Sequence, residues 1–92
     1  MKKRDRLQVI HDILKCINDK SGKIRPTHIL YKSNLSHQMM DEYLRELISK
    51  DFIREHINGK NRTYSINEKG QKFLEKYKMI SEFADSFGLG SL

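Results

Sequence analysis

Cysteine, proline and tryptophan are almost absent from this sequence. Its 92 residues include one cysteine, Cys16, one proline, Pro26, and no tryptophan. A single cysteine cannot form an internal disulfide, and cysteine-poor chains are typical of reducing compartments. We therefore expect a cytoplasmic protein whose stability comes from a packed core.

Long apolar runs are missing as well. No stretch approaches the ~18 consecutive apolar residues that a membrane-spanning helix requires. The basic residues at 1–6 are not followed by an apolar segment, so we expect no signal peptide and no membrane partner. The length fits one domain, because typical domains have ~100–150 residues.

Motifs for catalysis and metal binding are also lacking. The sequence has no phosphate-binding glycine loop, no HExxH and no CxxC. The four histidines, His11, His28, His37 and His56, fall on four different predicted elements. Cys16 lies five residues after His11, a spacing that does not suit two metal ligands on one helix. We predict no enzyme activity, no cofactor and no metal site; the sequence leaves open whether a small-molecule effector exists.

Positive charge is abundant and unevenly distributed. The chain has 18 Lys and Arg against 12 Asp and Glu, a net charge of +6. Residues 79–92 contain only Glu82 and Asp85 as charged residues, so they carry −2 and residues 1–78 carry +8. A pI above ~9 is typical of domains that bind nucleic acid, and the pI here is 9.6. This pattern predicts an anionic partner for residues 1–78 and a different role for the last residues.

The first helix is predicted over residues 4–18. Its apolar residues recur at intervals of three and four, as on one helical face; they are Leu7, Ile10, Leu14 and Ile17. Turn-forming residues at 18–22 end this helix. Pro26 disfavours helix in the residue before it, so residues 23–26 are predicted to be extended.

Two more helices are predicted around a tight turn. Thr27 is the predicted cap of a short helix that ends at Lys32. Ser36 is the predicted cap of a third helix over residues 36–50. Its apolar residues follow the helical period and are Met40, Tyr43, Leu44, Leu47 and Ile48.

A hairpin of two short strands is predicted next. The residues expected on its apolar face are Ile53, Ile57, Tyr64 and Ile66. Asn58-Gly59 is a strong signal for a type I′ turn, which would place Glu55 opposite Arg62. A four-residue loop at 58–61 would preserve the same faces, and the sequence leaves both alternatives open.

A long last helix is predicted from Asn67 or Glu68 to about Phe87. Its apolar residues are spaced alternately four and three apart, like the seam of a coiled coil. We expect the helix to project beyond the domain from Tyr77 onward and to form a homodimer; the alternative is that it folds back onto the first helix. The predicted interface residues are Tyr77, Ile80, Phe83, Ala84 and Phe87. This divides the chain into a domain at 1–78 and a dimerisation extension at 79–92.

The order of these elements resembles that of a winged helix-turn-helix protein. Residues 25–36 (RPTHILYKSNLS) look like the helix-turn start of small archaeal winged-helix DNA-binding proteins, both regulators and chromatin-like proteins. Residues 64–74 (YSINEKGQKFL) resemble the passage from the wing into the last helix. The resemblance covers roughly residues 5–87. It implies a mainly α fold with a small β-hairpin, a winged helix-turn-helix with a long C-terminal helix.

The resemblance also implies a DNA-binding surface. The helix at 36–50 would enter the major groove, and the wing at 58–62 would contact the minor groove or the backbone. The residues expected to contact DNA are Arg4, Lys32, Ser36, His37, Gln38, Arg45, Lys60, Asn61 and Arg62. Asp41 and Glu42 are also expected to face outward, where they would repel phosphates or accept a hydrogen bond from cytosine.

These features predict a homodimeric transcription regulator that binds double-stranded DNA. Related proteins pair their last helices in an antiparallel coiled coil, and the resemblance implies that arrangement here. Two alternatives remain: a weakly selective chromatin or architectural protein, and a winged-helix module that binds other proteins. Costs of ~1–3 kcal/mol for each mismatched base pair would distinguish a regulator from an architectural protein.

Overall fold

The computed structural model describes residues 5–20 and 24–89. The elements, in chain order, are α1 (Arg6–Asp19), α2 (Pro26–Ser33), α3 (His37–Ser49), β1 (Ile53–Asn58), β2 (Asn61–Ile66) and α4 (Glu68–Ser86). The predicted order of elements and the mainly α fold with one hairpin are confirmed.

The first two helices begin according to capping preferences. Asp5 caps α1, because its carboxylate accepts a hydrogen bond from the backbone N–H of Gln8 at 2.8 Å. The predicted cap of α2, Thr27, is wrong: α2 begins at Pro26, and Arg25 occupies the capping position. Proline suits the first helical position because a backbone N–H there would have no partner within the helix.

One hydrophobic core lies between α1 and the other elements. Its members come from every element before α4 and from the chain preceding α2; they include Ile13, Leu14, Ile17, Ile24, Ile29, Met40, Leu44, Leu47, Ile53 and Tyr64. Leu7, predicted on the apolar face of α1, is instead 56% exposed. Cys16 is a buried free thiol, and burial raises its pKa.

The hairpin pairs in the register of the four-residue alternative. Ile57 lies opposite Arg62, and Asn58 lies opposite Asn61. The predicted type I′ turn at Asn58-Gly59 is therefore wrong. It would have placed Glu55 opposite Arg62, whereas Glu55 lies opposite Tyr64, two residues farther along β2. Gly59 takes the first position of the two-residue turn at φ 62°, and the next residue has no positive φ, as in a type II′ turn. The predicted faces survive because two residues are one full period of a strand.

Ile24 adds a single bridge to the hairpin. Its backbone carbonyl accepts a hydrogen bond from the N–H of Tyr64 at 3.2 Å, and its side chain is fully buried. The extended stretch before α2, predicted from Pro26, thus anchors the hairpin to the helical part of the core.

The beginning of α4 packs on the domain. Gly70 is buried, and a Cβ atom there would lie 2.5 Å from the carbonyl oxygen of Phe52. Farther along, the Tyr77 ring stacks on His11 of α1 with centroids 4.3 Å apart. The expectation that Tyr77 projects beyond the domain is therefore wrong, because α4 folds back onto α1 as far as this residue.

Candidate nucleic-acid interface

The outer side of α3 presents a row of polar side chains. Three buried residues, Met40, Leu44 and Leu47, hold the helix against the core. Ser36 is confirmed as the cap, since its hydroxyl accepts a hydrogen bond from the N–H of Met39 at 3.2 Å. The side chains that face solvent, as predicted, are those of His37, Gln38, Asp41, Glu42 and Arg45.

The acidic residues of α3 are engaged by neighbouring side chains. Gln38 Nε2 donates a hydrogen bond to Glu42 Oε1 at 3.3 Å. Glu46 is bound by Arg6 from α1 and by Lys50 Nζ at 2.8 Å. Arg6 thereby ties the start of α1 to the side of α3, and its guanidinium also lies 5.8 Å from the Tyr43 ring centroid.

A cleft of about 150 Å³ separates α3 from the strands of the wing, β1 and β2. Arg62 Nε lies 3.4 Å from Glu55 Oε2, and the Tyr64 hydroxyl donates to the same oxygen at 3.3 Å. Asp41 and Arg45 line the opposite wall. The structure thus brings together Arg45 and Arg62, which the sequence placed on separate elements. Burial raises the pKa of Tyr64, so its hydroxyl is protonated and able to donate at neutral pH.

The wing tip is built from exposed polar residues. Lys60 occupies the turn, with Asn61 beside it. Among the described residues, no carboxylate lies within 4 Å of the Lys60 ammonium. Arg62, predicted at the tip, lies one cross-strand pair from the turn, opposite Ile57, and its side chain is paired with Glu55.

One predicted contact residue, Lys32, is not brought to this surface. Lys32 lines a cleft with Asp12, Lys15 and Asp19 of α1, and no α3 or wing residue lines that cleft within the described parts of the chain. Arg4 lies outside the described residues.

The link from α1 to α3 was missed by sequence reasoning. The spacing of Glu46 and Lys50 by four residues is a local signal for an ion pair on one helix. Arg6, however, is 40 residues from Glu46, and no local pattern indicates their contact.

We expect acid to remove the stabilisation that this link provides. Hydrogen bonds from Lys50 and Arg6 hold the pKa of Glu46 below its ordinary value of 4.5. A carboxylate with a depressed folded-state pKa stabilises the fold above its unfolded-state pKa and loses that contribution as the pH falls through the folded-state value. Urea unfolding should therefore show Glu46→Gln to be less stable than the parent at about pH 7, with the difference shrinking as the pH falls below 4.5 toward about 3. A difference that stays constant between these pH values would contradict the assignment; Glu75→Gln is the control.

A second exposed surface runs along the end of α4. Its apolar side chains are 55–67% exposed; they are Met79, Ile80, Phe83 and Phe87. The Phe83 and Phe87 rings contact each other, with centroids 4.9 Å apart. Ala84 and Tyr77, also predicted at the interface, are half-buried, and the Tyr77 ring packs on His11 of the chain's own domain. The apolar surface left open is therefore a narrower stripe than the sequence predicted.

Comparison with known proteins identifies the architecture. A model of the winged helix-turn-helix family matches residues 3–85. The chain belongs to the winged helix-turn-helix family. The resemblance to archaeal winged-helix proteins is confirmed by this match together with the relatives below.

Relatives of this winged-helix chain include archaeal and bacterial proteins. The uncharacterised protein MJ0290 of Methanocaldococcus jannaschii is 32% identical over 78 residues, which cover 85% of this chain and 34% of that protein. The chain thus spans about one third of this relative's length. Among solved structures, Sso10a-2, a DNA-binding protein from Sulfolobus solfataricus, has a TM-score of 0.73 at 23% identity. The matched region covers 92% of this chain and 90% of the Sso10a-2 chain. MepR, a transcription regulator of the Staphylococcus aureus multidrug efflux pump MepA, has a TM-score of 0.75 at 15% identity over 86% of this chain and 60% of its own.

Two further findings describe the winged-helix chain. Within residues 5–20 and 24–89, no helix has both the length and the apolar character needed to cross a membrane. In the same residues, no group of three or more His, Cys, Asp or Glu side chains is arranged to hold a metal ion.

Proposed function

We propose that this winged-helix protein binds double-stranded DNA as a homodimeric transcription regulator, and that it acts by binding rather than by catalysis. The observation that carries the proposal is the cleft at which the exposed face of α3 meets the wing, with Arg45 and Arg62 on its two walls. A helix and a neighbouring hairpin that present cations on adjoining surfaces suit a major groove and the backbone beside it. The charge of +8 on residues 1–78 favours an anionic partner.

Two of the similar structures support this function. Sso10a-2 is a DNA-binding protein, and MepR is a transcription regulator. At 23% and 15% identity these similarities concern the fold alone. The proposed DNA-binding residues follow from this chain's own exposed surface.

In the proposed complex, α3 lies in the major groove with its N-terminal residues toward the bases. His37 and Gln38 are in the first turn of the helix, the part that reads base edges in helix-turn-helix proteins. Gln38 has the amide chemistry that pairs with adenine, and Arg45 has the guanidinium that reaches a phosphate or guanine. Lys60 and Asn61 then contact the backbone or the minor groove from the wing.

Removing the wing cations should weaken binding to every duplex. In the double variant Lys60→Ala, Arg62→Ala, two phosphate contacts are lost, so the slope of log K against log salt should fall in magnitude by about 1.8. Lys60 is expected to contribute more of the lost affinity, since Arg62 already has Glu55 as a partner. A mobility-shift titration with mixed-sequence duplexes at two salt concentrations measures both quantities.

The matched control removes two cations from α4. Lys72→Ala, Lys76→Ala changes the net charge equally, on exposed positions away from α3 and the wing. An unchanged affinity in the wing variant, with the fold intact by circular dichroism, would refute the wing contacts. An equal loss in both variants would show that only net charge matters.

The dimer is proposed to form through the exposed stripe of α4. Four large apolar side chains on two helical turns are costly to leave in water, at roughly 1.5–3 kcal/mol each. Pairing with the same stripe of a second chain would bury them and place two recognition helices in one assembly.

A further inference from the structure

Glu42 occupies the outermost position of α3. Buried Met40 is two residues before it and buried Leu44 is two residues after it. Two residues correspond to a rotation of ~200° about the helix axis, so Glu42 points about 160° away from both. Gln38 lies one turn earlier on the same side and donates its amide N–H to the Glu42 carboxylate. A carboxylate therefore stands on the solvent-facing side of α3, where it also lines a cleft with Arg6 and Glu46.

The Glu42 charge is not neutralised by a cation. Among residues 5–20 and 24–89, no Lys, Arg or His nitrogen lies within 4 Å of its carboxylate. Glu46, one turn later, is bound by two cations and is turned toward α1. Within the described residues, the hydrogen-bond partner of the Glu42 carboxylate is the neutral amide of Gln38.

A carboxylate in a major groove discriminates strongly among base edges. It accepts hydrogen bonds and donates none, so guanine O6 and N7 and thymine O4 repel it, as do phosphates. The amino groups at cytosine N4 and adenine N6 donate to it, but adenine also carries the acceptor N7 beside N6, so cytosine is the more favourable base. On a duplex with neither amino group in reach, the charge would lose water without gaining a donor, which is unfavourable.

From these contacts we infer that Glu42 is a specificity-determining residue that selects cytosine over guanine and thymine, with Gln38 holding its carboxylate in position. The inference rests on the proposed DNA-binding function. One Glu42 oxygen accepts from Gln38, and the other accepts from cytosine N4. Specificity then comes as much from repulsion of the wrong sequence as from attraction to the right one. A protein built in this way suits a selective regulator better than an architectural protein.

The test compares the full-length parent with Glu42→Gln, which keeps the shape and removes the charge. Each protein selects from a library of duplexes with a randomised 20-base-pair centre, and affinity is then measured for the duplex that the parent enriches and for shuffled versions of it. Glu75→Gln, on an exposed position of α4, removes the same charge away from α3 and serves as the control.

We expect the parent and the control to enrich a cytosine at one position that Glu42→Gln no longer requires. Replacing that cytosine should weaken the parent about tenfold or more, and should change the affinity of Glu42→Gln by less than about threefold. Glu42→Gln should also bind the shuffled duplexes several-fold more tightly than the parent does.

Other outcomes overturn the inference in distinguishable ways. If Glu42→Gln enriches the same bases with the same ratio of selected to shuffled affinity, Glu42 does not read DNA. If the parent binds duplexes but enriches no sequence, the protein is weakly selective and the inference fails while DNA binding stands. If the parent binds no duplex at all, the proposed function itself is refuted.

Discussion

The double variant Ile80→Lys, Phe87→Lys is expected to be a monomer at concentrations where the parent is a dimer. Both side chains lie on the exposed apolar stripe of α4, at 55% and 66% exposure. In the proposed dimer, the substitution would bury two ammonium groups per chain without partners, which is strongly unfavourable. Light scattering at tens of micromolar protein measures the mass directly.

Loss of the dimer should also reduce DNA affinity. Two recognition helices in one dimer suit half-sites ~34–36 Å apart, or a multiple of that distance. A second binding event within one assembly increases the overall affinity by about 100-fold or more. The double variant should lose most of that gain on a duplex with two half-sites and should retain the weak binding of the parent to a single half-site.

The control for this experiment adds the same charge elsewhere on α4. Gln71→Lys, Glu75→Gln raises the net charge by the same two units at exposed positions before the stripe, so the protein should remain dimeric. A parent that is monomeric at tens of micromolar would refute the dimer. The exposed stripe would then need another partner.

Gly70→Ala is expected to destabilise the fold by about 1–2 kcal/mol, although alanine is the better helix former. Alanine gains roughly 1 kcal/mol over glycine inside a helix. Here its Cβ would lie 2.5 Å from the Phe52 carbonyl oxygen and 2.7 Å from Ile66 Cγ1. The carbonyl cannot move freely because it already accepts a hydrogen bond from the Asn67 N–H at 2.9 Å. Overpacking of this kind costs typically 1–3 kcal/mol or more, so the clash determines the sign.

Thermal unfolding by circular dichroism, at one protein concentration, tests this substitution. For a domain of this size the midpoint should fall by roughly 5–15 °C. Lys76→Ala, at an exposed position of the same helix, should change stability by less than about 0.5 kcal/mol. An unchanged or higher midpoint for Gly70→Ala would contradict the close approach of α4 to Phe52 and Ile66.

Local signals in the sequence were sufficient to predict the elements. The 3.6-residue spacing of apolar side chains predicted α1, α3 and α4, and the alternation of Ile53 and Tyr64 with polar neighbours predicted the two strands. Ser36 was a correct cap because a hydroxyl at that position bonds to the helix it begins. The resemblance of residues 25–36 and 64–74 then indicated the correct family, because those segments carry the family's own pattern.

By itself, the sequence determined the order of elements, the face of each strand and the outward side of α3, since all three follow from backbone periodicity over a few residues. Only the tertiary structure decided the hairpin register, the stacking of Tyr77 on His11, the tie from Arg6 to Glu46 and the meeting of Arg62 with α3. Each of these depends on chain segments that are distant in sequence, or on a choice between turns with the same faces. Long-range packing selects among such alternatives, because each one satisfies the local preferences equally well and only one also fills the core.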